Sequence, residues 1–174
     1  MIKLRDYQEE SISEIRTALS MYRSTLFQLT TGGGKTVIFS SIAKSSQKYG
    51  RKVLIISNRT EIMHQNGGAL SMIGLSVEYI SPKNREIPSG NVAVGMSQTI
   101  RRRVSVSEEW REYLKSIELL IVDEAHCCDH DFIYDYVSDD CFRLLVTATP
   151  KRQGNQKQLG VLQSQWLRAS RQRI

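Results

Sequence analysis

The sequence predicts an α/β fold, a mostly parallel sheet with helices on both faces, on three observations. Short apolar runs alternate along the chain with segments of helical periodicity, and strands alternating with helices imply crossover connections. The run Val53-Leu54-Ile55-Ile56 is nearly continuously apolar, as expected of a strand covered on both faces. A glycine-rich turn also follows one strand and opens a helix, an arrangement that aims backbone N–H groups and a helix N-terminus at one point.

In chain order, residues 7–22 read as a helix with Ile12, Ile15 and Leu19 at intervals of three and four. Thr25–Leu29 reads as a strand, Lys35 to about Tyr49 as a helix, Val53–Ile56 as a strand and about Thr60–Ile73 as a helix. Further strands are expected at Ser76–Ile80, Asn91–Met96, Glu118–Val122 and Phe142–Val146, with a helix over Val106–Leu114. Pro82, Pro88 and Gly90 mark 81–90 as a loop. With 174 residues and 19.9 kDa the chain holds one domain with a substantial core, short of two typical domains. The expected division is a domain over 1–150 and a basic tail, or the start of a further connection, over 151–174, where Leu159, Leu162 and Trp166 form a potential helical stripe.

The formal charge of +6 sits in that tail, since 151–174 hold six basic residues and no acidic ones, leaving 18 of each sign in 1–150. The net charge therefore does not describe a uniformly basic, nucleic-acid-coating surface. Three cysteines, two of them adjacent, match neither a disulfide framework nor a CxxC pair, and reduced structural thiols are expected. The cluster His126-Cys127-Cys128-Asp129-His130 lacks a familiar zinc spacing. No apolar run is long enough to cross a bilayer and the first residues carry no hydrophobic leader, so no membrane partner and a cytoplasmic location are expected, host cytoplasm if the source is viral.

Thr30-Thr31-Gly32-Gly33-Gly34-Lys35-Thr36 has the chemistry of a phosphate cradle. Glycines after a strand let backbone N–H groups turn inward, Lys35 is placed for terminal phosphates, and the Thr36 hydroxyl for a magnesium shell. The general GxxxxGK[ST] pattern asks for glycine where this chain has Leu29, so the match is incomplete. Its partner is Ile121-Val122-Asp123-Glu124-Ala125-His126, an apolar strand ending in two carboxylates. Open α/β sheets bind ligands beyond the carboxyl ends of their strands, which puts Asp123 and Glu124 on the same rim as the glycine turn. Asp123 is placed to hold Mg2+, largely through water, and Glu124 to polarise the attacking water, while Lys35 offsets phosphoryl charge.

With these motifs the chain resembles the first RecA-like P-loop domain of superfamily 2 nucleic-acid helicases and translocases, in the DEAH-type branch related to restriction-enzyme helicase subunits and phage or repair helicases. Thr31–Thr36 resembles motif I, Asp123–His126 motif II and Thr147-Ala148-Thr149-Pro150 motif III. The resemblance implies ATP and Mg2+ as cofactors, with Thr31, Gly32, Gly33, Gly34, Lys35 and Thr36 binding ATP and Lys35, Asp123 and Glu124 catalytic. It implies that Leu4-Arg5-Asp6-Tyr7-Gln8 is an adenine-recognition segment, with Arg5 and Gln8 as contacts. His126, Thr147 and Thr149 are implied to couple nucleotide state to motion. Ile55–Glu61 with Gln65 resembles motif Ia and Gly95–Ile100 motif Ib, implying Arg59, Gln98 and Thr99 as contacts to a strand's sugar-phosphate backbone. Arg101-Arg102-Arg103 reads equally as phosphate contacts or as a solvated charge run.

The function expected is the ATP-binding half of a DNA-dependent helicase or translocase, with DNA as the track and RNA as the alternative. Family members carry a second RecA-like domain, and only 24 residues follow Pro150, so that domain is expected in another chain or lost by truncation. Two other classes stay open: a nucleotide-gated or degenerate nucleic-acid-binding or regulatory module without helicase activity, and a P-loop kinase, which leaves DEAH followed by TATP unexplained.

Overall fold

A computed structural model describes residues 3–149 and 164–168. The elements are α1 (Asp6–Tyr22), β1 (Ser24–Gln28), α2 (Lys35–Lys48), β2 (Val53–Ser57), α3 (Thr60–Met72), β3 (Glu78–Ile80), β4 (Val92–Met96), α4 (Ser97–Val106), α5 (Glu108–Lys115), β5 (Leu119–Asp123), a 3-10 helix (Cys128–Asp135), β6 (Phe142–Thr147) and β7 (Ser164–Arg168). Among the described residues, seven strands form one sheet in the order β3-β4-β2-β5-β6-β1-β7, and every neighbouring pair is parallel. The fold is α/β, with a sheet more uniformly parallel than expected.

The continuous apolar runs follow from this topology. Successive side chains of a strand point to opposite faces, and here each face has a helix layer over it. Val53 and Ile55 of β2, Ile121 of β5 and Leu144 of β6 join one core with Ile15 of α1, Ile38 and Phe39 of α2, and Met63 and Leu70 of α3. Their neighbours Leu54, Ile56, Leu120, Val122 and Leu145 join the other with Ile100 and Val104 of α4, Trp110 and Leu114 of α5, and Ile133 of the 3-10 helix. All five residues of β2 and all five of β5 are buried. Ile55 is fully buried in β2, between β4 and β5. Ile55→Ala is expected to cost about 2–5 kcal/mol in urea unfolding, through the transfer energy of the removed atoms and the cavity left behind.

Three expectations need correction. The helix expected over Val106–Leu114 is preceded by a second, α4, because Ile100 and Val104 are buried one helical turn apart, and the break between the two is chemical. Ser107 ends α4 and caps α5 by accepting a hydrogen bond from Trp110 N at 3.4 Å. β3 begins at Glu78, not Ser76, since only Glu78, Tyr79 and Ile80 pair with β4. Trp166 stands in β7, where Leu26 of β1 is its register partner, so it does not extend the expected helical stripe; Leu159 and Leu162 lie outside the described residues. Among the described residues, no helix is long and apolar enough to cross a membrane.

Candidate functional site

Because the strands are parallel, their carboxyl ends share one rim. In sheet order β4 leads into Ser97-Gln98-Thr99, β2 into Asn58-Arg59, β5 ends at Asp123, β6 ends at Thr147 and β1 leads into the glycine turn. The segments expected at ATP and in its coupling thus end adjacent strands β5, β6 and β1, and the two expected at nucleic acid end adjacent strands β2 and β4. Asp123 and Glu124, at the end of β5, are the members of the first group that border the second.

The glycine turn is built on exclusion as well as freedom. Gly34 caps α2 at φ +82°, a left-handed conformation that a Cβ penalises, and an added Cβ would also lie 2.5 Å from Gln8 Nε2. A Cβ on Gly33 would lie 2.7 Å from Cγ of Leu29. Leu29, which departs from the general pattern, fills the space beside the turn and makes glycine necessary at 33. From α1, the Tyr7 hydroxyl donates to the Gly33 carbonyl at 2.9 Å, and Gln8 Oε1 accepts from Arg5 N at 3.0 Å. Gln8 is 6% exposed and its side chain caps the start of α1, while Tyr7 ties α1 to the turn; Arg5 is exposed. Thr31 and Gly32 are exposed, and Thr36 is half-buried in the first turn of α2.

Lys35 Nζ lies 3.8 Å from Glu124 Oε1, with its side chain 11% exposed. Asp123 is buried, accepting from Asn66 Nδ2 at 2.9 Å on Oδ2 and from Glu124 N at 3.0 Å on Oδ1. Burial raises the Asp123 pKa, the Asn66 hydrogen bond opposes that rise, and the Glu124 charge adds to it. Each carboxylate oxygen keeps a further lone pair. Glu124 has φ +52°, a conformation costing a non-glycine residue on the order of 1–3 kcal/mol. Bonds around it hold it there: Ala125 N donates to the Val146 carbonyl at 3.0 Å and Cys127 N to the Glu124 carbonyl at 2.9 Å. Among the described residues no three His, Cys, Asp or Glu side chains gather into a metal cage. Magnesium is commonly held by one or two carboxylates together with substrate phosphates, so Asp123 and the Thr36 hydroxyl beside a phosphate cradle fit that ion.

His126 joins the carboxylates to β6. Its Nδ1 lies 3.0 Å from Thr147 Oγ1 and 3.3 Å from Glu124 Oε2. Thr147 Oγ1 donates to the Thr149 carbonyl at 2.8 Å, which uses its only proton, and accepts from Thr149 N at 3.2 Å. The hydroxyl and the carboxylate can therefore only accept from His126, which assigns the proton to Nδ1. Glu124, His126, Thr147 and Thr149 form one hydrogen-bonded line.

The opposite side of the rim connects to the same segment. Asn58 Nδ2 donates to Cys127 Sγ at 3.1 Å, Ser97 Oγ donates to the Asp129 carbonyl at 2.6 Å, and Thr60 Oγ1 donates to Met96 Sδ at 3.2 Å. Arg59 is exposed at the N-cap of α3 and Gln98 is exposed on α4, whereas Thr99 is buried at 8%. Sequence reasoning missed Asn58, Asn66, Ser97 and Tyr7. Asn66 had a signal: it lies three residues after Met63 and four before Leu70, on the apolar face of α3, where an amide needs a partner.

His130, in the 3-10 helix, is 1% exposed, and neither ring nitrogen has a hydrogen-bond partner among the described residues. Burial lowers its pKa from 6.5 to about 4, against the raising influence of Asp129 and Asp131. The unfolded chain then takes up a proton in a window where the folded chain does not, so its contribution to stability is present above 6.5 and is lost as pH falls toward 4. The expected slope is about 1.4 kcal/mol per pH unit at most. Urea unfolding across that window checks it, and His130→Leu removes that part of the slope.

The chain is similar to known proteins both in sequence and in fold. The family model for the type III restriction enzyme res subunit matches residues 1–152. The chain belongs to this family. It is a superfamily 2 helicase amino-terminal RecA-like domain. It is 33% identical over 134 residues to IRC3 of Saccharomyces cerevisiae, a match covering 71% of this chain and 19% of that protein. It is 25% identical over 175 residues to the ATP-dependent DNA helicase MPH1 of Candida albicans, covering 85% of this chain and 13% of MPH1. A structure of the UvsW helicase of bacteriophage T4 superposes with a TM-score of 0.70 at 20% identity, over 86% of this chain and 54% of the chain in that structure. The type ISP restriction-modification enzyme LlaGI, solved with a DNA substrate mimic, superposes at 0.74 and 18% identity over 97% of this chain and 20% of LlaGI. At these identities the two structures share the fold. The chain spans about a fifth of IRC3, and 54% and 30% of the chains in two UvsW structures.

Proposed function

We propose that the chain is the ATP-binding half of a DNA-dependent helicase or translocase, which hydrolyses ATP with Mg2+ and is completed by a second RecA-like domain. The observation that carries the proposal is the shared rim: Lys35, Asp123 and Glu124 stand beside the segments bearing Arg59, Gln98 and Thr99, bridged by Asn58–Cys127 and Ser97–Asp129. Relatives support DNA as the track, MPH1 by its name and LlaGI by its bound mimic.

In this reading Thr31 to Gly34 and the N-terminus of α2 hold the phosphates by backbone N–H groups, and Lys35 offsets their charge. Thr36 and Asp123 hold Mg2+, which when bound draws negative charge from the phosphate oxygens. Glu124 orients the attacking water and accepts its proton, and its fixed backbone limits the positions its carboxylate can take. Arg5 contacts the adenine directly, and Gln8 contributes its amide, whose Oε1 keeps one lone pair beyond the bond from Arg5 N. His126, Thr147 and Thr149 report the state of Glu124 to the edge where a second domain closes.

Measured together, the affinities of the chain for a non-hydrolysable ATP analogue and for single-stranded DNA are expected to raise one another by the same factor, as linkage requires. The isolated chain is expected to turn over ATP weakly and to leave a duplex intact. DNA binding indifferent to nucleotide favours the degenerate binding module, tighter coupling to RNA than to DNA changes the track, and duplex unwinding by the pure chain contradicts the half-enzyme reading.

A further inference from the structure

On α4, Thr99, Arg102, Arg103 and Val106 recur at i, i+3, i+4 and i+7, which places them on one face. With Pro82 and Arg85 from the loop after β3, and Ser107 and Trp110 from the start of α5, they line a cavity of about 380 Å3. Three arginines line it and no acidic residue does. Glu108, next to Ser107 in the chain, is paired with Arg111 at 2.7 Å.

Arg103 is fixed in place. Its guanidinium lies 4.6 Å over the Trp110 ring, and Nη2 donates to the carbonyls of Ser81, at 2.7 Å, and of Asn84. Its Nη1 is buried with no hydrogen-bond partner among the described residues. Burial, and then the charge of Arg85, disfavour its protonated form. Arg101 lies elsewhere, 5.0 Å over the Phe132 ring, and Arg103 is held by carbonyls and by Trp110, so the arginine run is not wholly a solvated charge run. An immobilised guanidinium crowded by like charge, with the exposed Arg85 and Arg102 beside it at the same cavity, is an arrangement that a phosphate relieves by charge and by charge-assisted hydrogen bonds from the exposed pair.

We propose that this cavity is a phosphate site, taking a backbone phosphate of the nucleic-acid strand beyond Thr99. The strand then runs from Arg59 past Gln98 and Thr99 along α4 to Arg102 and Arg85. The cavity itself follows from the residues that line it; the identity of the strand rests on the function proposed above.

The test uses the full chain and the exposed pair Arg85→Gln with Arg102→Gln, which leaves the stacked Arg103 in place. A charge-matched control carries Lys83→Gln and Lys115→Gln, both exposed and outside the cavity. In the first arm, a fluorescent single-stranded DNA is titrated at several salt concentrations. The Arg pair is expected to weaken binding about tenfold at low salt and to reduce the salt slope by about 0.7 for each phosphate that is no longer neutralised, with the control within about twofold of wild type. In the second arm, inorganic phosphate is titrated while the Trp110 indole resonance is followed, and the saturable shift expected of wild type disappears in the Arg pair. Loss of both responses supports the proposal. Loss of the phosphate response alone keeps the site but gives it to a free phosphate, overturning the strand assignment. Two unchanged responses overturn the site while wild-type DNA binding leaves the proposed function standing. A wild-type chain that binds no DNA overturns the function and the strand, and the phosphate arm still decides the site.

Discussion

Glu124→Gln is expected to leave the chain binding ATP about as tightly as wild type and to slow hydrolysis by about 10²–10⁴-fold, the usual contribution of a positioned general base. The reason is geometric. Glu124 sits at the meeting point of Lys35, 3.8 Å away, and His126, 3.3 Å away, on a backbone held at φ +52°. Glutamine keeps the length and the contact to His126 Nδ1 but cannot accept a proton at neutral pH. Lys35→Ala has the opposite profile, because Lys35 acts on bound phosphate: ATP affinity itself is expected to fall, and turnover with it. Nucleotide titration and single-turnover phosphate release separate the two. A Glu124→Gln protein that hydrolyses ATP at the wild-type rate removes Glu124 from the chemistry.

Asn66→Ala is expected to weaken the apparent Mg2+ affinity of ATP hydrolysis by about 10–100-fold, the range seen when a group behind a metal ligand is removed. Asn66 is 1% exposed and gives its amide hydrogen to Asp123 Oδ2 at 2.9 Å. Its loss frees the Asp123 carboxyl to rotate and strips away the hydrogen bond that counters the cost of burying its charge. Raising Mg2+ is expected to restore much of the rate, and Asn66→Gln to do worse than wild type because the longer amide does not fit the same space. A rate loss that Mg2+ does not restore points to a disturbed helix instead. Because Arg59 is the N-cap of α3 and Asn66 follows two turns later, the same helix joins the proposed strand contact to the residue that bonds the proposed metal ligand Asp123.

The motifs were legible in the sequence because each is a local pattern: glycines followed by Lys35 and Thr36, carboxylates ending an apolar run, threonines closing another. The apolar character of Val53–Ile56 rightly implied cover on both faces of the sheet. Strand order was not legible, since crossovers put β6 between β1 and β5 although it follows both in the chain. Neither was the Asn66–Asp123 bond, which joins residues 57 apart in sequence. The bond from Tyr7 to the Gly33 carbonyl depends on where α1 packs against the turn. Leu29 stands where the general pattern has glycine, and the structure accommodates it through the missing side chain of Gly33. α4 escaped notice because its start overlaps the segment Gly95–Ile100, read for its motif and not for its periodicity, although its buried residues Ile100 and Val104 are spaced for a helix that Ser107 then ends.

The most direct measurement of the central claim, that one rim joins nucleotide chemistry to a nucleic-acid strand, is ATP turnover with and without single-stranded DNA, for wild type beside Lys35→Ala and Glu124→Gln. The geometry predicts a wild-type rate that rises with DNA and two variant rates that stay near background in both conditions. Equal rates for all three proteins, with or without DNA, would contradict it.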